Sequence, residues 1–342
     1  MKKLLMIGAA LAVSMIAVAP AQDSQEPAQE QQQPEQGDAT QQETPAAEPL
    51  PRVIGQTRSP EEFDAWRAID QAATLEQKVP LAREFLETYP DSGLTPFAHD
   101  ILARHYYQQN DIDNFVAHAE KSLAEVPDNL ALVSPLAFIY AEQNKTDEAQ
   151  EKAQHVLAMI DRLEAPEGVS MADWVMEIEK SKADAYYALG KSHINRFTEN
   201  PESADGAENV NLKQGIENLE KAIGADPGHD YAYFRLAYSY AQLNNAHKAL
   251  QYYARAAALG TPVAPIAKEQ AEKVHEFIEQ TQSESETAQK TVEQVVEEQA
   301  AEVQQAVQAR QQELQQKIQQ LEQQRRQQQG QPEPQVEPQP QP

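Results

Sequence analysis

The chain has 342 residues, 28 Lys and Arg against 54 Asp and Glu, a net charge of −26 and no cysteine. Such a chain repels a phosphate backbone or an anionic lipid surface unless a local basic patch intervenes, and no Lys/Arg run exceeds Arg325-Arg326, so nucleic acid is set aside as a partner. Without cysteine there is no disulfide, thiolate metal site, cysteine nucleophile or lipidated Cys anchor.

Met1-Lys2-Lys3 is a cationic start, followed by an apolar run from Leu4 to Ala19 and the small-residue triplet Ala19-Pro20-Ala21. Together these read as a secretory signal over 1–21, cleaved after Ala21. The competing reading is an uncleaved anchor, but its 16 apolar residues fall short of the roughly 20 that a helix needs to cross hydrocarbon. The expectation is an exported, periplasmic protein, with secretion as the alternative and no membrane insertion after cleavage. Residues 22–55 are rich in Gln, Glu and Pro with almost no large apolar side chain, and read as a disordered linker. Residues 330–342 (GQPEPQVEPQPQP) repeat that chemistry with denser proline, which favours an extended polyproline tail.

Between these arms the apolar residues follow paired helical patterns. Glu61–Ala72 and Thr74–Glu87 form one pair, with Phe63, Trp66 and Ile69 on the first helix and Val79, Leu81, Phe85 and Leu86 on the second; Thr74 and Gln77 have capping-box spacing. Four further segments share a Leu-small pair shortly before an aromatic residue or His. The first runs His99, Leu102-Ala103, Tyr106, then Ala119, Ser122 and Pro127, and the second Val133, Leu136-Ala137, Tyr140, then Ala149, Ala153 and Val156. The third runs Tyr186, Leu189-Gly190, His193, then Gly215, Leu219, Ala222 and Pro227, and the fourth Tyr233, Leu236-Ala237, Tyr240, then Ala249, Tyr253, Ala256 and Pro262. Leu102 to Leu136 spans 34 residues, and Leu189 to Leu236 spans 47, which is 34 plus the 13-residue insertion TENPESADGAENV.

This pattern resembles the tetratricopeptide repeat, in an exported bacterial setting. The resemblance implies an all-α fold, a solenoid of helical hairpins in which small residues sit where two helices approach and large ones fill the gap beside them. The repeats fall at 96–129, 130–163, 183–229 and 230–263, with a degenerate repeat at 59–90 and a capping helix at 265–282, giving a repeat domain over 56–282. Three departures stand out: Pro135 lies inside a first helix, which predicts a kink or a start capped by Ser134; Asp161 replaces a closing proline; and Phe115 replaces an alanine. Three- and four-residue spacing from Met171 to Phe197 predicts one helix of about 27 residues, roughly 40 Å long.

Residues 283–329 are Gln/Glu-rich and carry a coiled-coil pattern: Ala300, Val307, Leu314 and Leu321 recur at seven, with Val296, Val303 and Ile318 near the interleaved seam and Arg310 within it. Three readings are open, namely homo-oligomerisation through 292–323, a solvated single helix, or partial disorder.

No pattern predicts a catalytic residue, cofactor or metal. The eight histidines, His193 among them in a repeat's aromatic slot, show no ligand spacing. Of two acidic turns, Asp111–Asn114 reads as a helix cap and Asn200–Glu208 lacks the spacing of a calcium loop. The resemblance places the residues that alternate with the core set on an inner groove: Phe97, Asp100, Arg104 and Tyr107 from the first repeat, Phe138 from the second, Tyr187 and Lys191 from the third, and Tyr231, Phe234, Arg235 and Tyr238 from the fourth. Such a groove suits an extended peptide with apolar side chains and some anionic character, unless the chain's own later segments cover it. The expectation is a non-enzymatic envelope scaffold that binds protein or peptide partners. The alternative is a structural protein that oligomerises through its C-terminal helix, with the repeats as spacer.

Overall fold

The computed structural model describes residues 52–166, 168–199 and 209–328. The signal at 1–21, the linker up to residue 51, the acidic turn at 200–208 and the tail at 330–342 lie outside the described residues. Among those described the fold is all-α with no strand. The helices fall into two units, one ending at Val126 and one starting at Pro127.

The first unit holds α1 (Pro60–Gln71), α2 (Leu75–Thr88), α3 (Thr95–Gln108) and α4 (Ile112–Leu123). Ser59 caps α1 by accepting from the Glu62 amide at 3.2 Å, Pro60 opens the helix, and Glu62 reaches back to the Arg58 amide at 2.8 Å. Thr74 caps α2, and Gln77 returns a bond to the Ala73 amide at 3.0 Å, one residue earlier than a standard capping box. Ile69, Val79, Ala82, Phe85, Leu94, Ala98 and Leu102 form the core, with Trp66 edge-on to Phe85 at 5.3 Å. Phe115 is buried at the position read as a departure. Asp111 caps α4, accepting from the Asn114 amide at 3.3 Å. The segment 52–58, part of which reads as linker, is tied down: Arg52 donates to the Ser92 carbonyl at 3.1 Å and the Gly55 amide to the Gly93 carbonyl at 2.8 Å. Gly93 permits this approach, because a Cβ there would lie 1.7 Å from the Val53 oxygen.

The second unit holds α5 (Leu130–Glu142), α6 (Thr146–Ile160), α7 (Met171–Glu199), α8 (Val210–Ala225), α9 (Asp230–Gln242), α10 (Ala246–Ala258), α11 (Ala264–Thr281) and α12 (Val292–Gln328), with a 3₁₀ turn at Glu286–Gln289. Helices α5 and α6, α7 and α8, and α9 and α10 are the three hairpins. At their closest crossing α7 and α8 exchange glycines: a Cβ at Gly190 would lie 2.7 Å from Leu219 Cγ, and one at Gly215 would lie 2.4 Å from Ile194 Cδ1. This is the small-residue contact that the resemblance implies.

The hairpin turns share a feature not read from the sequence. Asn110, Asn144 and Asn244 each sit eight residues after Leu102, Leu136 and Leu236, with φ of 56°, 58° and 56°. In each turn the Asn amide bonds the carbonyl three residues back, and the next amide bonds the carbonyl five back, as from Lys145 to Tyr140 at 2.9 Å. This is the Schellman closure, with asparagine in the left-handed position usually taken by glycine. The leucines therefore occupy equivalent places in three tetratricopeptide-like hairpins. Leu189 is also buried, on the first helix of the third repeat, where the chain continues helical past its own eighth residue.

One expectation changes. Pro135 does not begin a helix behind a Ser134 cap: α5 runs from Leu130, with Pro135 as its sixth residue. Proline there forfeits one backbone bond, and burial of Leu132, Val133 and Leu136 around it outweighs that loss. The long helix expected from Met171 is present: α7 is 29 residues long, about 43 Å.

Helix α12 begins with a true capping box, Thr291 accepting from the Gln294 amide at 3.3 Å and Gln294 from the Thr291 amide at 2.8 Å. It then lies against α10, α11 and α7 of its own unit. Val292, Val295, Gln299, Val303 and Leu314 are buried, and Val303 packs with Tyr233, Ala256, Val263 and Ala267. Of the stripe read as a self-association seam, Val303 and Leu314 are thus buried within the chain and the other positions are half-buried. Arg310, which looks like a flaw in that seam, is one of its anchors, bonding the Ala225 carbonyl at 3.3 Å and Glu179.

Candidate functional site: an aromatic and cationic wall

The first helices of the three hairpins, α5, α7 and α9, place side chains on one wall through their C-terminal, central and N-terminal portions respectively. Phe138 stands 5.2 Å from Tyr187 and 5.3 Å, edge-on, from Tyr231; Tyr187 stands 4.9 Å from His229. These rings come from three different helices, and their packing is a direct product of the hairpin register. On the far side Phe234 meets Tyr253 edge-on at 5.2 Å.

The polar centre is Glu142, the last residue of α5. Tyr187 donates its hydroxyl proton to one Glu142 oxygen, Lys191 Nζ lies 3.6 Å from the same oxygen, and Arg235 lies 3.6 Å from the other. One carboxylate therefore joins α5, α7 and α9. Burial, then the Glu142 charge, pushes the Tyr187 hydroxyl well above its ordinary pKa, so it stays a donor. Burial, then Arg235, lowers the Lys191 ammonium to about 8. Burial opposes the Arg235 charge, but the Tyr187 oxygen and Glu142 outweigh it and hold the guanidinium above its ordinary value. Burial raises the Tyr231 and Tyr238 hydroxyls.

Tyr187 and Lys191 are corrected by this geometry: they are not free lining. Tyr187 is fully buried and Lys191 is 2 % exposed. Lys191 spends its donors on the end of α5, on the Ala141 carbonyl at 2.5 Å and Asn144 Oδ1 at 3.0 Å. Asn144 is the hairpin-turn residue, so this lysine staples one repeat's turn to the next repeat's helix. The long ammonium stem lets a register position that looks solvent-facing be drawn inside.

Arg235 differs. Its side chain remains 22 % exposed, and its Nε is buried without a hydrogen-bond partner. Half-buried Phe138, Tyr231, Phe234 and Tyr238 flank it. The cost of a buried donor with no acceptor is about 1–3 kcal/mol. Two residues absent from the sequence reading belong here, Glu142 and His229. His229 caps α9 by accepting the Ala232 amide on Nδ1 at 3.2 Å, which leaves its Nε2–H facing Asp184 at 3.7 Å. The signal for Glu142 is indirect: two cations assigned to one wall require a counter-charge.

In the other unit the first repeat's residues do something else. Phe97 is drawn against the core beside Trp66 at 6.4 Å, and Arg104 is held by Asp100 at 3.0 Å. Tyr107 is 45 % exposed with its ring 5.1 Å from Phe115. His193 is half-buried, with Nδ1 3.3 Å from Asn211. Among the described residues no three His, Asp or Glu side chains converge as a metal site, and no helix is long and apolar enough to cross a membrane.

No family model matches the chain, and no curated protein does. Among solved structures it is similar to the crystal structure of the MamA protein, at 16 % identity and a TM-score of 0.36 over 64 % of this chain and 92 % of that one. It is also similar to PilW, described as a widely conserved type IV pilus biogenesis factor, at 14 % identity and 0.35 over 67 % and 94 %. The fold assignment rests on the hairpins' own geometry.

Proposed function

We propose that the protein is a non-enzymatic, exported scaffold whose α5–α7–α9 wall binds an extended peptide segment of a partner protein. Export rests on the leader read at 1–21. The single observation that carries the binding reading is Arg235: a guanidinium fixed by Glu142 and Tyr187, with an unpartnered buried Nε, set among four half-buried rings. Aromatic rings supply apolar contact at low conformational cost, and a pre-oriented guanidinium supplies direction. Burial of Val303 and Leu314 against the chain's own helices supports the scaffold reading over the oligomerising alternative.

The test is site-specific photocrosslinking in the native cell extract, with p-benzoylphenylalanine in place of Phe138 on the wall or of exposed Glu151 on α6. Discrete protein adducts from position 138 and none of the same mass from 151 are expected. Identical patterns, or none from 138, would reject the reading.

A further inference from the structure

We infer that the chain's own proline-rich tail, residues 331–342 (QPEPQVEPQPQP), is a ligand of the α5–α7–α9 wall and competes in cis with outside peptides. This rests on the peptide-binding reading of that wall and adds its regulation.

The chemistry of the tail matches what the wall lacks. In a polyproline helix, three residues per turn would put Pro334, Glu337 and Pro340 on one face, each about 9 Å from the next. A carboxylate between two prolines is the complement of a guanidinium between two groups of rings. Prolines dock on aromatic surfaces with little further loss of entropy, because the extended form is already populated. Glu337 would set a carboxylate against the partly exposed Arg235 guanidinium, and a carboxylate on a guanidinium is among the stronger hydrogen-bonding pairs.

Position favours the same pairing. Helix α12 delivers the tail to this unit, because Arg310 and Lys317 both bond Glu179 on α7. Glu179 lies eight residues before Tyr187 on that helix, about 12 Å. Past Lys317, α12 continues for eleven residues to Gln328, about 16 Å, and the nine residues from there to Glu337 span up to about 28 Å when extended. Fully extended, that stretch matches the path back along α12 and α7 to Tyr187. Tethering at this distance gives the tail a high local concentration, so a weak contact is enough to hold it.

Two measurements test this. A labelled peptide of residues 331–342 is titrated by anisotropy into the full chain and into the chain ending at Gly330. The shortened chain is expected to bind at least about tenfold more tightly, since its wall has no cis competitor, and a Glu337→Gln peptide to bind it about tenfold more weakly. Equal affinity for both chains, no binding to the shortened one, or indifference to Glu337→Gln would overturn the proposal; the peptide substitution cannot disturb the fold. In the second, purified full chain carrying p-benzoylphenylalanine at Tyr238 is photolysed, and an adduct with 331–342 at the mass of one chain is expected. If no tail adduct forms while position 138 still captures partners in extract, the tail is rejected and the wall retained. If neither forms, both fall.

Discussion

Arg310 on α12 bonds Glu179 on α7 at 2.5 Å across 131 residues of sequence, and Lys317 bonds the other oxygen of the same carboxylate at 2.7 Å. Glu179 is 5 % exposed, so it sits where a lone carboxylate would be costly. Burial works to raise its pKa, but Lys317, Lys182 and Arg310 outweigh that and hold it below the ordinary glutamate value.

The first prediction concerns this anchor. Glu179→Gln leaves Lys182, Arg310 and Lys317 without their shared counter-charge, and a loss of about 2–3 kcal/mol is expected, below the 3–5 kcal/mol of a fully dry pair because Lys317 keeps contact with water. Limited proteolysis should cut within 292–328 faster than in the parent chain. The depressed carboxyl also sets a sign: its stabilisation is present above the unfolded pKa near 4.5 and is lost as pH falls below it, so α12 should loosen in acid. Unchanged cleavage at pH 7 in the variant would contradict this.

Histidines give the other unit a pH response. His99 and His118 face each other Nδ1 to Nδ1 at 2.9 Å, so one must donate and the other accept, and the two cannot both be protonated. Tyr106 stacks on His118, and Lys121 and Arg83 lie near. Burial, then the His118 charge, lowers His99 to about 4, and burial lowers His118. A depressed histidine binds its proton more readily when unfolded, so stability present above pH 6.5 drains away as pH drops toward 4. Thermal melts should show that slope, and His99→Phe should flatten it; an unaltered slope would assign the pH response to other groups.

Glycines at the α7–α8 crossing predict opposite signs within one helix pair. Gly190→Ala pushes a methyl against Leu219 and the Gly215 carbonyl and should cost about 1–3 kcal/mol. Gly224→Ala on α8, with nothing within 4 Å of its Cβ, should gain up to about 1 kcal/mol from helix propensity. Denaturant titration reads both.

The asparagine turns separate backbone from side-chain roles. Asn244→Gly should be neutral within about 0.5 kcal/mol and Asn244→Ala should cost about 1 kcal/mol, the penalty of a left-handed alanine. Asn144→Gly should cost more than Asn244→Gly, because it also removes the acceptor of buried Lys191. Equal effects at 144 and 244 would deny the Lys191 staple any energetic weight.

Sequence alone determined the hairpins. The 34-residue spacing, the small residues at 190 and 215, the caps at Thr74 and Asp111 and the length of α7 are local or periodic properties, set by 3.6 residues per turn and by which side chains fit between adjacent helices. Tertiary structure decided the rest. A register one residue from the core face is turned by about 100°, which does not say whether Lys191 points to water or curls onto the Asn144 turn. Only the stacking of α5, α7 and α9 brings Glu142 to Tyr187, Lys191 and Arg235. The apolar stripe of α12 reads the same for a second copy or for its own repeats, since burial is non-directional. Within the chain the helix is held by Glu179, a carboxylate 131 residues before Arg310 that Arg310 and Lys317 reach only once the hairpins have stacked.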